Sequence, residues 1–103
     1  MQRQSVVVHA DARLELLEAR DYIDEHRPGH GELFVDAIER EFERIAEFPR
    51  IGKPLVLGTR RRTVRGWPYS IVYQPLLGIV YVVAIAHHRR RPEYWRKRLL
   101  RPR

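Results

Sequence analysis

The sequence predicts an α+β fold with the element order β-α-α-β-β-β, and three observations carry that expectation. Two stretches with apolar residues at helical spacing come first, and a Pro28-Gly29 pair separates them. After Gly52-Lys53-Pro54 the pattern changes to short β-branched runs punctuated by turn residues. An N-terminal helical hairpin packed on a small curved antiparallel sheet, with a short C-terminal helical segment, is the arrangement these runs imply.

Ser5 to Val8 is β-branched and reads as a strand. The next segment, residues 10–26, places Ala12, Leu16, Ala19 and Ile23 on one helical stripe, with Asp11 and Glu15 near the positive end of the dipole. From Glu32 to Phe48 a second stripe runs through Phe34, Ile38, Phe42 and Ile45, and Phe48-Pro49 ends it. Three strands are then expected, at residues 55–64, 69–74 and 79–87, joined by Gly66-Trp67-Pro68 and by Pro75-Leu76-Leu77-Gly78. The third is apolar on both faces, as befits a central strand covered by helices. Residues 92–100 are expected to add a short helix ended by Pro102, and the isomer of Trp67-Pro68 is left open.

With 103 residues, the chain supports one domain spanning 1-103, since either half alone would bury too little surface. The absence of cysteine excludes a disulfide scaffold, a thiolate zinc site and a cysteine nucleophile. The longest apolar run, Leu76 to Ala86, is about half the ~20 residues of a membrane span, and the polar start lacks a secretory apolar segment. A cytoplasmic protein without membrane contact is therefore expected.

The net charge of +7 hides a strong asymmetry. Residues 1–48 hold six arginines against twelve acidic residues, a net of −6, whereas residues 49–103 hold fourteen Arg and Lys against Glu93 alone, a net of +13. The basic half is the expected working surface, attractive to nucleic acid or to an acidic protein. Arg60, Arg61 and Arg62 lie on a strand, so Arg61 is expected on one face and its neighbours on the other. They serve either as a charged edge that resists aggregation or as an anion-binding or acidic-partner groove. His87 and His88, adjacent on a strand, point apart and do not suit one metal ion. His26 and His30 have ligand spacing, but Pro28-Gly29 breaks the helix between them. No metal and no cofactor is expected, and no phosphate loop, nucleophile elbow or paired-carboxylate site stands out. Tyr94 and Trp95 either stack on a ligand or pin the C-terminal segment to the sheet, with packing favoured for Trp95. The acidic residues are read as solvated helix surface.

Several residues in order give the chain a resemblance. They are Ala12, Leu16 and Tyr22-Ile23, then Phe34, Ile38 and Ile45, then Phe48-Pro49-Arg50-Ile51-Gly52, Arg60-Arg61, and Trp67-Pro68-Tyr69-Ser70-Ile71-Val72-Tyr73. Ala86-His87, Arg89-Arg90 and Pro92-Glu93-Tyr94-Trp95 close the series. Over residues 6–98 the chain resembles toxins of the RelE/ParE superfamily, halves of type II toxin–antitoxin pairs, and is most similar to the ParE branch.

The resemblance implies a growth-arresting toxin that binds DNA gyrase, forms a hetero-oligomer with an acidic antitoxin and carries no catalytic residues. His87, His88, Arg89, Arg90, Arg91, Tyr94, Trp95 and Arg98 are then expected to form the target-binding surface. Arg60, Arg61, Arg62 and Arg65 are expected to dock the antitoxin. The RelE branch offers an alternative, a ribosome-dependent mRNA endoribonuclease, in which Arg60, Arg61, Arg62, His87, Arg89 and Tyr94 would be catalytic. The only lysines, Lys53 and Lys97, lie outside the basic strand, a departure from the lysine-bearing pattern of those nucleases. A non-toxic nucleic-acid-binding module is the third class.

Overall fold

The computed structural model describes residues 3–100. Strand β1 (Ser5–Val8) leads into helix α1 (Ala10–His26) and helix α2 (His30–Glu47). Strands β2 (Lys53–Pro54), β3 (Arg60–Thr63), β4 (Tyr69–Leu76) and β5 (Ile79–His87) follow, in a sheet ordered β1-β5-β4-β3-β2. The meander β2–β5 is antiparallel as expected. β1 instead pairs in parallel with β5, so the whole sheet is mixed; the apolar first half of β5 thereby gains a neighbour on each side.

The two helical stripes fold as their spacing predicts. Phe34, Ile38 and Ile45 are fully buried, with Ala12, Ala19 and Ile23, while Leu16 and Phe42 pack at the margin. His9 caps α1, its Nδ1 accepting from the Asp11 amide at 2.9 Å. At the hairpin, Gly29 adopts a left-handed φ of 85°, and one carboxylate oxygen of Asp24 accepts from the amides of Gly29 and Gly31.

Three local expectations need correction. The strand expected over residues 55–64 is shortened and interrupted by a 3₁₀ turn, Val56–Gly58, because Leu57 and Gly58 take positive φ and Thr59 closes the turn onto the Val56 carbonyl. Pro75 and Leu76 belong to β4 rather than to its turn; β3 begins at Arg60, opposite Tyr73, so Pro75 has no β3 neighbour to which its missing N–H would donate. The expected C-terminal helical segment is present but confined to a 3₁₀ turn at Arg96–Arg98, within a strap across the sheet that is tied down where Arg98 donates to the Val83 carbonyl and the Gln74 amide donates to the Leu100 carbonyl. Pro102 lies outside the described residues, and the Trp67–Pro68 peptide is trans.

The sheet has a core on each face. Ile71, Tyr73, Val80, Val82 and Ile85 meet the helices, whereas Val72, Val83, Ala84 and Trp95 pack on the opposite side beneath the C-terminal strap. A β-bulge makes this possible: Tyr73 pairs with Val82 and Val72 with Ala84, leaving Val83 as the extra residue. Regular alternation from Val82 would have sent Ala84 and Ala86 toward the helices. The bulge sends Ile85 there instead, and His87 with it.

Candidate binding site

The expected target-binding residues divide between two sides of the sheet. His87 lies on the helix side, its ring edge-on to Tyr69 with centroids 5.0 Å apart, in a shallow hollow shared with Glu18 and Tyr22. Burial, then the charges of Arg89 and His88, hold its imidazole below the ordinary pKa, so it is neutral near pH 7. His88 lies on the far side, its Nε2 3.0 Å from the Ser70 hydroxyl. Arg89 is exposed to solvent.

Tyr94, Trp95 and Arg98 are built into the fold. Trp95 is buried in the second core. Arg98 grips Glu15 of α1 with two parallel hydrogen bonds of 2.9 and 3.1 Å and also donates to the Val83 carbonyl. The Tyr94 hydroxyl donates to Glu15 at 2.7 Å, and the Ile85 amide donates to the same carboxylate. β1 ends at Val8, and these side chains satisfy backbone groups of β5 beyond that point. Burial, reinforced by the Glu15 carboxylate, pushes the Tyr94 phenol well above its ordinary value, against the pull of Arg90 and Arg98. The guanidinium carbons of those arginines lie 3.9 and 5.1 Å from its ring centroid.

The arginine strand alternates as expected, with unequal consequences. Arg60 donates to the carbonyls of Arg50 and Gly52, and Arg62 forms a 2.7 Å ion pair with Glu41 of α2. Arg61 faces the other side, where it lines a hollow of about 240 Å³ with Ser70, His88, Arg90 and Arg91. Arg65 is exposed in the turn after β3. The expected antitoxin-docking set is thus divided: Arg60 and Arg62 are engaged by the fold, and Arg61 joins the C-terminal group.

Three participants escape a reading of the sequence. Ser70 sits inside an apolar strand, within the Trp67–Tyr73 run that carries the resemblance, but no role was expected of it. Glu15 and Glu41 look like solvated helix charges but are largely buried partners of Arg98 and Arg62, which corrects that expectation. Among the described residues no group of His, Asp and Glu is placed to hold a metal ion, and no helix is long and apolar enough to cross a membrane.

Fold and site define a small basic domain whose cleft presents cations and hydroxyls but whose tyrosine is committed to structure. The family model described as the ParE toxin of the type II toxin–antitoxin system, parDE, matches residues 6–92. The chain belongs to this family of toxins. A solved chain described as the chromosomal ParDE toxin–antitoxin system from P. aeruginosa shares the fold, with a TM-score of 0.62 and 19% sequence identity, over 82% of this chain and 96% of that one. Comparison with curated proteins yields no match.

Proposed function

We propose that this toxin arrests growth in the bacterial cytoplasm by binding DNA gyrase, and that an acidic antitoxin neutralises it in a hetero-oligomer. Family membership supports a toxin, and one observation favours a binding toxin over a nuclease. The Tyr94 hydroxyl, the side chain a RelE-like nuclease would use, donates to Glu15 and has its pKa raised, so it is poorly placed to accept a proton near pH 7. Arginine cannot replace it as a base. The exposed members of the C-terminal cluster, Arg89, Arg90, Arg91 and His88, are the proposed gyrase contacts, with Tyr94, Trp95 and Arg98 holding them in place. For the antitoxin, Arg61 and Arg65 are the cations of the docking set with no ion pair among the described residues, and the exposed Leu14, Leu17 and Tyr22 of α1 offer apolar surface to the same partner.

The test is the incorporation of labelled thymidine and methionine in the first minutes after induction without antitoxin. DNA synthesis is expected to fail first, followed by a DNA-damage response. Earlier loss of protein synthesis would replace this reading with ribosome-dependent mRNA cleavage.

A further inference from the structure

We infer that the hollow between β3, the start of β4 and the Arg90–Glu93 turn is a phosphate-binding site that takes a backbone phosphate of nucleic acid. Arg61 reaches it from β3, opposite Val72, and Arg91 reaches it from the turn. The Ser70 hydroxyl, in a residue 2% exposed, and His88 Nε2 lie 3.0 Å apart on its wall. Among the described residues neither Arg61 nor Arg91 has a carboxylate within 4.0 Å, and the only acid on the lining, Glu93, is held by Arg96 at 2.9 Å. The cleft therefore gathers cations without an internal counter-ion, an arrangement that an incoming anion relieves.

The geometry favours phosphate over carboxylate. Donors arrive from a strand, from a Ser–His pair and from a turn, which suits oxygens spread over a tetrahedron; a planar carboxylate is satisfied by one guanidinium fork, as Glu15 is by Arg98. The aromatic groups beside the cleft are not open for base stacking. Trp95 is 4% exposed, and both Arg90 and Arg98 lie against the Tyr94 ring. The grip is thus on the sugar–phosphate chain and carries no sequence preference. It goes beyond the gyrase proposal and does not depend on it.

Fluorescence anisotropy of the full chain with a labelled single-stranded DNA of about a dozen nucleotides tests the site. Binding is expected to weaken steeply with salt. Replacing both Arg61 and Arg91 by Ala is expected to weaken it about tenfold or more, and Ser70→Ala severalfold, with melting curves confirming folded variants. Arg13→Ala with Arg40→Ala removes the same charge from exposed positions on the helices and is expected to change affinity less than about twofold. Equal losses in the two double variants would reduce the effect to net charge and overturn the site. Displacement of the DNA by AMP or inorganic phosphate as readily as by unlabelled DNA would assign the cleft to free phosphate esters and overturn the backbone claim. Equal displacement by polyglutamate would assign it to an acidic protein segment. No binding at low salt also ends the proposal, and since gyrase is absent from the assay, either claim can fall while the other stands.

Discussion

At the scale of single residues, Glu15 organises the most consequential contacts. Its carboxylate joins α1 to the backbone of β5, to Tyr94 and to Arg98, and the Glu15 and Arg98 side chains are only 14% and 15% exposed. Removing one member of such a pair strands the other charge, which outweighs the modest net gain of forming it. Glu15→Ala is expected to destabilise the fold by about 3 kcal/mol, enough to lower the melting temperature by roughly 12 °C or more in a calorimetric scan. An unchanged melting temperature would show that the network is not holding the strap. The pH dependence follows from the same residues. Because the folded pKa of Tyr94 is raised, its contribution is fully present below the unfolded value of 10.0 and is lost as pH rises through the folded value. Denaturation midpoints are expected to fall above pH 10, less steeply in Tyr94→Phe; Tyr69, Tyr73 and Tyr81 are shifted in the same direction and account for the remainder. His87 acts at the other end of the scale. Its depressed pKa favours folding above 6.5, and this contribution declines as pH falls from there through the folded value. An NMR titration of its imidazole should reach its midpoint below pH 6.5.

At the scale of elements, the close approach of α1 and α2 depends on one position. A Cβ on Gly31 would lie 2.6 Å from the Arg20 carbonyl oxygen and 2.9 Å from the Asp24 Cβ, so the helices would have to move apart. Alanine has the better helix propensity by ~1 kcal/mol, yet overpacking against a backbone atom costs about 1–3 kcal/mol and disturbs the Asp24 cap as well. Gly31→Ala is therefore expected to be destabilising in urea unfolding, and a stabilised variant would show that the hairpin opens freely. β3 makes a complementary point. Its alternation gives Arg60 and Arg62 partners within the fold and turns Arg61 to the hollow on the other side, so identical neighbouring residues have different surroundings. In β5, one extra residue reverses the alternation and decides which side of the sheet receives His87.

For the whole molecule, the charge asymmetry of the sequence becomes an arrangement of acidic helices on one side of the sheet and a basic cleft and turn on the other. Among the described residues three ion pairs join the halves: Glu15–Arg98, the longer Asp11–Arg98 contact at 3.8 Å, and Glu41–Arg62. The exposed turn cations can accordingly be removed without opening the core. Arg89→Ala combined with Arg90→Ala is expected to abolish growth arrest while lowering stability by no more than ~1 kcal/mol, the loss of the Arg90–Tyr94 contact. Growth curves at matched expression, alongside thermal melts, check both halves of that expectation; continued arrest would move the toxic surface elsewhere.

Much of the fold was legible because it rests on periodicity. The stripes through Ala12–Ile23 and Phe34–Ile45, the Pro28-Gly29 break and the doubly apolar β5 are local patterns, and burial follows them directly. The 3₁₀ turn at Leu57 was not legible because it needs a positive φ at a non-glycine residue, and the strap over residues 92–100 was not because it is held by contacts with distant residues. The basic composition of the site was visible, as was the alternation that sets Arg61 apart from Arg60 and Arg62, whereas the face that meets carboxylates and the place of Ser70 in the cleft wall were not. The sequence by itself determined the element order, the helical core and the sign of the charge on each half of the chain. Only the tertiary structure decided which cations remain free, because a guanidinium is consumed or released by carboxylates and carbonyls far away in the chain. Arg98 meets Glu15, Arg62 meets Glu41, and Arg61, one residue away, meets neither.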